Sequence, residues 1–328
     1  MAISSVSAKM PLLQGLNINT LPGRVLHQVG LPLFGIAMFL LLWHVAAARV
    51  QTSLGTFPGP AQVLEQMEGL YAEYKEDKAR EAAFYERQEK RFAEARAQDP
   101  NAVAEFRPYT GKPTFFKQIF TSLKTVFTGF LLASLIAIPF GIAIGLSANL
   151  YLSVNPLLQV FKPISPLAWL PLVTIVVSAL YTSEGGLPKS YITSSITVML
   201  CSLWPTLLNT AVGVTSVSSD LVNVSKVLRL NWLRHVRSIV LPASVPMIFT
   251  GLRLSLGTAW MVLIAAEMLA QNPGLGKFVW DEFQNGSSDS LGRIMVAVLT
   301  IGFIGYMLDR GMLALQRWVS WDKNAIFR

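Results

Sequence analysis

Residues 125–161 read TVFTGFLLASLIAIPFGIAIGLSANLYLSVNPLLQVF, with no Asp, Glu, Lys or Arg anywhere in the run. A bilayer core takes about 20 apolar residues per helix, so this stretch is long enough for one span plus a turn. Alone, it fits a helix buried in a soluble core equally well. The rest of the chain decides. Uncharged runs lie at 25–48, 163–183 and 190–219. Residues 247–270 are broken only by Arg253 and Glu267, and 291–308 only by Arg293. Backbone groups in lipid must be satisfied within their own segment, which makes such spans helices. A β-barrel would show short alternating segments instead. The expectation is an all-α, polytopic membrane protein with six transmembrane helices.

Composition agrees. Of 328 residues, 52% are hydrophobic and 14% charged, and the mean hydropathy is +0.46. A soluble chain carries about 25% charged residues. These figures exclude a disordered chain, and the single cysteine, Cys201, excludes a disulfide scaffold. The first run resembles a signal peptide where Ala46-Ala47-Ala48 mimics a cleavage site. Its length and the absence of a compact basic start favour a retained helix.

Lys and Arg in short loops favour the cytoplasm. Lys9 and Arg24 precede the first run. Lys226, Arg229, Arg234, Arg237 and Arg253 face one acid, Asp220, and Arg310, Arg317, Lys323 and Arg328 face Asp309 and Asp322. The 184–189 connection is neutral and 277–289 is acidic. Both termini of this multi-pass protein are therefore expected in the cytoplasm. The net charge of +8 is then a topology signal. No interleaving of bases with stacking aromatics points to nucleic acid. The expected divisions are a cytoplasmic segment 1–28, a first span 29–48, an external insertion 57–114, a membrane domain 115–315 with a cytoplasmic loop at 220–246, and a cytoplasmic tail 316–328.

The insertion carries ten Lys/Arg and eleven Asp/Glu between 62 and 117. Loops this long translocate largely regardless of charge. Residues 61–98 have strong helix composition, with Glu76/Arg80 and Glu86/Lys90 as i,i+4 pairs. Val63, Met67, Leu70 and Tyr74 share one face, and Asp99-Pro100-Asn101 stops the helix. Two readings stand: a solvated helical hairpin, or a docking surface for an external partner.

The most informative loop is 220–257, DLVNVSKVLRLNWLRHVRSIVLPASVPMIFTGLRLSLG. It is basic and amphipathic, between two spans. Short helices are expected at 223–230 and 231–240, ended by Leu241-Pro242 because proline cannot continue the hydrogen-bond ladder. Such a segment can transmit force from a soluble partner.

Here the chain resembles the membrane permease subunit of a bacterial binding-protein-dependent ABC importer. The cytoplasmic signature of those permeases runs Glu-Ala-Ala, three residues, Gly, then an apolar residue and Leu-Pro. Asn223, Val224 and Ser225 fall on the Glu-Ala-Ala positions, Lys226 follows them, and Arg229 falls on the Gly. Ile239, Leu241 and Pro242 match the end; an alignment shifted by one residue is the alternative. The stretches 122–145, 161–171 (FKPISPLAWLP), 203–209, 251–257 and 265–276 (AAEMLAQNPGLG) resemble the nitrate, sulfonate and taurine branch. The insertion, LCSLWPTLLNT and AQNPGLGKFVWDEFQNGSSDS look most like nitrate/nitrite permeases, with bicarbonate permeases close relatives.

The resemblance implies a bacterial inner membrane, a type I (MetI-like) importer fold and alternating access for a small inorganic anion, first nitrate or nitrite, alternatively bicarbonate or a sulfonate such as taurine. It implies a second permease chain as a homodimer partner, two ABC ATPase subunits docked on the coupling loops, and an external solute-binding protein. The chain has no Gly-x-x-x-x-Gly-Lys-Ser/Thr phosphate loop, so it is read as no enzyme and as holding no cofactor, with ATP and Mg on the partner ATPases.

Candidate pathway residues are Lys124, Pro166, Trp169 and Glu267. Lys124 follows Lys117 on one helix face, either snorkelling to the interface or lining a positive funnel. Glu267 is the one acid in its apolar run, in a gate or paired with a base. Pro163, Pro166 and Pro171 interrupt the third span, as simple kinks or as a deformable pathway wall with Trp169 facing the pore. Glycines 129, 141 and 145 permit close helix approach, within the chain or at a dimer seam. An intramembrane enzyme is starved of parts: the histidines are His27, His44 and His235, and no serine sits in a nucleophile elbow. The same scarcity argues against a metal site. An ATP-independent carrier or channel is the remaining alternative, and would show midplane charges or paired broken helices.

Overall fold

The computed structural model describes residues 29–52, 55–98, 106–182, 186–287 and 289–319. Segments 1–28 and 320–328, with the expected cytoplasmic tail beyond 319, lie outside them. Two compact units divide after residue 65.

The first unit holds helix α1, Leu31–Ala47, opened by Pro32. Its apolar side chains from Leu33 to Leu42 stand exposed, as a lipid-facing helix requires. A two-stranded hairpin follows, β1 Gln51–Thr52 and β2 Gly55–Thr56, paired Gln51 to Thr56. This small sheet is the one sheet among the described residues, and the fold is otherwise helical as expected. The Trp43 indole N–H donates to the Pro58 carbonyl at 3.2 Å. Helix α2, Pro60–Gln98, then begins, one residue before its expected start.

The second unit contains α3 Phe115–Leu146, α4 Ala148–Phe161, α5 Pro166–Leu180, α6 Lys189–Thr215, α7 Ser219–Val227, α8 Trp232–His235, α9 Leu241–Ala270, α10 Leu275–Asn285 and α11 Ser290–Val319. Helix α6 is its centre, held between α3 and α9. On α3, Gly129, Ala133, Ala137 and Gly141 recur every four residues on one buried face, and the half-buried Gly145 continues the series. A β-carbon on Gly129 would come within 2.7 Å of the Ser195 carbonyl; one on Gly141 would meet Thr210 at 2.6 Å, and one on Gly145 would meet Val214 at 2.6 Å. All three glycines therefore serve contact within the chain. Close approach of small residues is how helices associate in lipid, where apolar burial gives no driving force.

The other side of α6 is spliced to α9. Pro205 interrupts the α6 ladder, and Ser255 of α9 fills the gap. Its hydroxyl accepts from the Thr206 N–H at 3.1 Å and donates to the Ser202 carbonyl, the acceptor a regular helix would offer Thr206. Gly251 sits one turn away, where a β-carbon would meet the Thr206 backbone at 2.9 Å. Helix α11 joins α9 through Trp260, which donates to the Ile301 carbonyl at 3.0 Å, and through a bidentate pair between Arg253 and Asp309 at 2.5 and 3.0 Å.

Among the described residues, four helices are long and apolar enough to cross a membrane: 115–146, 189–215, 232–270 and 290–319. Helices α4 and α5 together pass the same test but are bent by 98°, which makes five if the pair is one span. Helix α1, at 17 residues, is shorter. The expected count of six is thus not reproduced. The turn expected after the 125–146 span is a helix of its own, capped by Ser147, which accepts from Leu150 N–H at 3.3 Å. The expected third span, 163–183, is the second arm of the bent pair. Pro166 does not kink it. Proline sits without cost in the first turn of a helix, and here it opens α5 behind Ser165, which accepts from Leu167 N–H.

Helix α2 is fastened to the membrane helices. Lys117 of α3 bonds Asp77 at 2.8 Å and Glu81 at 3.2 Å, and Arg293 of α11 bonds Glu73 and, at 3.4 Å, Glu282. The Lys117 ammonium holds the Asp77 carboxyl below the usual carboxylate range. Tyr74 and Tyr71 contact Phe116, and Tyr85, Phe92 and Phe106 stack further along.

Candidate functional site

The loop after α6 builds a compact two-helix segment. Asp220 lies in the first turn of α7 and Lys226 in the last, each with the favourable sign for the helix dipole. The helix covers 219–227, not 223–230, and ends in a Schellman motif. Leu230 N–H donates to Ser225 carbonyl and Arg229 N–H to Lys226 carbonyl, both at 3.1 Å. Arg229 takes φ 47°, the left-handed region that glycine enters without a steric cost.

Asn231 caps α8 by accepting from Arg234 N–H at 2.9 Å. The chain turns back so that His235 Nδ1 lies 2.7 Å from Ser225 Oγ. Ser225 is buried, and this bond ties α8 to α7. Nothing in the sequence reading singled out His235 for this, because the tie spans a reversal of the chain.

Pro242 does not end the helix, as expected, but passes within it. Residues Val236–Val240 form one wide turn in which Leu241 N–H bonds the Val236 carbonyl, five residues back. Widening accommodates the proline ring and its missing donor, and such turns occur singly within α-helices. The result is one continuous helix from Trp232 to Ala270. Ile239 and Leu241 are half-buried in it, while Asn223, Val224, Lys226, Arg229 and Pro242 are exposed.

The surface of this segment is apolar where solvent would prefer charge. Leu221, Val224, Val227, Leu228, Trp232 and Leu233 all stand exposed, Val227 by 82% and Trp232 by 67%. Large exposed apolar side chains grouped in one short segment make it a candidate binding face. Arg229, Arg234 and Arg237 are also exposed.

The four pathway candidates are dispersed. Lys124 is exposed, with its ammonium 5.1 Å from the Tyr191 ring centre, and Tyr191 shares a 2.6 Å hydrogen bond with Thr128. Pro166 and Trp169 lie on α5, at the bend. Trp169 and Trp204 flank Phe161 in near-parallel stacks with centres 6.1 and 6.2 Å from it, and the Trp169 indole N–H is buried without an acceptor.

Glu267 is fully buried, and its partners are neutral. Ser122 Oγ lies 2.9 and 2.8 Å from its two carboxyl oxygens, and Gly276 N–H donates to it at 3.0 Å. Ser122 in turn accepts from Leu275 N–H at 2.8 Å, and Asn272 donates to Thr125 at 3.1 Å. The expected base is replaced by a hydroxyl and an amide. The acid pins α3, α9 and the 271–276 turn together. Gly274 lies so close to its carboxyl that a β-carbon there would overlap it.

Residues 136–321 match the family described as binding-protein-dependent transport system inner membrane component. The chain is 35% identical over 291 residues to the bicarbonate transport system permease protein CmpB of Synechococcus elongatus, covering 88% of each. It is 38% identical over 202 residues to the nitrate import permease protein NrtB of Synechocystis sp., covering 62% of this chain and 69% of that one. The fold is shared with an inward-facing structure of the MetNI methionine ABC transporter, at a TM-score of 0.54 and 13% identity over 62% of this chain and 95% of the other.

Proposed function

The chain belongs to the family of binding-protein-dependent transport system inner membrane components, the ABC importer permeases, and from that premise we propose that it moves a small inorganic anion, nitrate or nitrite, into the cytoplasm. The observation that carries the mechanical half of this reading is the exposed apolar side chains of α7 and α8, with α8 continuous with α9. Two such segments, one from each of two permease chains, would seat in two ABC ATPase subunits that hold ATP and Mg. A solute-binding protein would deliver the anion on the opposite side of the inner membrane, where α2 lies, with both termini in the cytoplasm.

Within this reading, Leu221, Val227 and Trp232 supply contact area, Arg229 and Lys226 supply charge at its rim, and Leu241 and Pro242 carry the displacement into α9. Along the path, the unpaired Trp169 N–H and the exposed Lys124 ammonium offer donors to an anion. Glu267 holds the turn at the outer end of α9. An acid is a poor ligand for an anion, and its hydrogen bonds are already committed within the chain.

Nitrate rests on the 38% identity to a nitrate import permease and on the nitrate-like stretches around 200–210 and 270–290. Bicarbonate is the second reading, favoured by the relative that matches along 88% of its length.

The test is ATP hydrolysis by the complete reconstituted complex with its binding protein. Stimulation by nitrate and not bicarbonate, lost when Val227 and Trp232 are replaced, supports both halves. Stimulation by bicarbonate or taurine alone overturns the anion and keeps the machine. Transport by this chain without any ATPase overturns the reading as a whole.

A further inference from the structure

An open cleft of about 400 Å³ lies between α2, the 109–114 segment and α10. Its lining carries five carboxylates against three basic side chains. Acidic side chains alone would say little, since most are engaged: Asp77 with Lys117, and Glu73 and Glu282 with Arg293. What sets the cleft apart is an unpaired acceptor in its wall. Gln118 is 5% exposed, and its Oε1 has no partner. The amide orientation is determined by chemistry, because Gln118 Nε2 donates at 3.2 Å to the Pro113 carbonyl, which can only accept. The free atom is therefore the oxygen. Thr114 Oγ1, buried and also unpaired, lines the same space. A buried polar atom without a partner costs free energy, and an unexplained one asks for a missing donor.

Two carboxylates are available to that donor. Among the described residues, Glu76 and Asp281 are each paired with a cation one turn away on its own helix, Arg80 in an exposed pair and Lys277 in a partly exposed one, and pairs of this kind exchange readily. Carboxylates, an amide oxygen and a hydroxyl together select a ligand that is cationic and rich in N–H. A metal ion is a poor fit, because no three acidic, cysteine or histidine side chains among the described residues are grouped to hold one. The volume suits a long side chain rather than a bare ion.

We infer that this cleft is a socket for a lysine or arginine side chain of the solute-binding protein, with Glu76 and Asp281 at its mouth and Gln118 Oε1 in its wall. The inference rests on the importer reading that places α2 outside. It gives the insertion a role: α2 is the wall that turns a flat loop surface into a receptor.

The experiment uses the complete importer in lipid nanodiscs and the purified binding protein, saturated with its anion, as the probe. Binding protein is titrated while its affinity and its stimulation of ATP hydrolysis are read. Glu76→Lys and Asp281→Lys should each raise the half-saturating concentration about tenfold or more, since like charges across an interface are costly. Gln118→Met, which keeps the volume and removes the free acceptor together with the bond to the Pro113 carbonyl, should raise it about threefold. Basal ATP hydrolysis and retention of the ATPase subunits should not change. Glutamate placed in turn at each surface Lys or Arg of the binding protein should include one position that restores binding to Glu76→Lys. Unchanged half-saturation in all three variants overturns the socket. So does saturable binding of spermidine or calcium to the importer alone that Gln118→Met abolishes while the titration with binding protein stays put. Failure of the importer reading is distinct: the unmutated chain would retain no ATPase.

Discussion

Helix α6 and the α7–α8 segment follow one another in the chain and treat apolar surface in opposite ways. On α6, side chains interlock with α3 and α9 at backbone distance, and even the defect at Pro205 is filled by Ser255. On α7 and α8, Val227 and Trp232 stand largely exposed. The first region is closed off by small residues of its neighbours, Gly141 on α3 and Gly251 and Ser255 on α9, while the second leaves its large ones uncovered. Stability should therefore reside in the sandwich and coupling in the segment, and substitutions should separate the two.

The largest effect is expected at Gly141. Leucine there would drive its β-carbon into Thr210 and the Leu207 carbonyl, neither of which can yield without moving α6. Overpacking of this kind costs about 1–3 kcal/mol or more, and the folded yield in detergent and the midpoint of thermal unfolding should fall together. Next comes Ser255→Ala, which strands the Thr206 N–H and the Ser202 carbonyl. An unsatisfied buried group costs about 1–3 kcal/mol, read as a lower unfolding midpoint at unchanged helix content. If Ser255→Ala is as stable as the parent, the splice is ornamental and the comparison weakens.

The paired substitution Val227→Asp with Trp232→Ala probes the other side. Stability should stay within about 0.5 kcal/mol, as for exposed sites generally. Anion-stimulated ATP hydrolysis should fall about tenfold or more, because truncating an interface anchor costs about 2 kcal/mol or more. Arg229→Gly should stabilise the fold slightly, by at most about 1 kcal/mol, since the residue occupies a left-handed backbone that penalises a β-carbon. Loss of coupling in that variant, with stability intact, would make the guanidinium a contact rather than a spacer.

The smallest effect concerns pH. Asp77 has its carboxyl depressed by Lys117, so its contribution is complete above the ordinary carboxylate pKa and declines as pH falls through its lowered value in the fold. Protection of α2 amides from hydrogen exchange, taken relative to the intrinsic rate at each pH, should be flat from pH 8 to about pH 5, given an unperturbed aspartate near 3.9. It should fall only in more acidic solution, and Asp77→Asn should remove that acid sensitivity.

The lipid-facing runs were legible in the sequence because a bilayer forbids charge over a whole helix length. The basic loop was legible because its charges interrupt that pattern. The bend between α4 and α5 was not. Pro163 and Pro166 read as kinks inside one span, yet the second proline is a helix opener once Ser165 caps it. Pro242 was misread for the converse reason, since a local rule does not know that the Leu241 amide can reach five residues back. Glu267 drew notice as a lone acid, but its partner Ser122 is 145 positions earlier in the chain, beyond any spacing argument. His235 and Ser225 share that difficulty on a shorter scale.

The unbroken course of the chain from Trp232 through Pro242 to Ala270 makes a beam of about 58 Å at 1.5 Å per residue. Ser255 ties it to α6 about 35 Å from the Trp232 end and about 22 Å from the Ala270 end. Were the helix to turn there as a rigid body, a step of one ångström at the Trp232 end would return as roughly 0.6 Å in the opposite sense at the Ala270 end. Under the proposed function a partner would push the long arm, so leverage would favour force at Glu267 over distance.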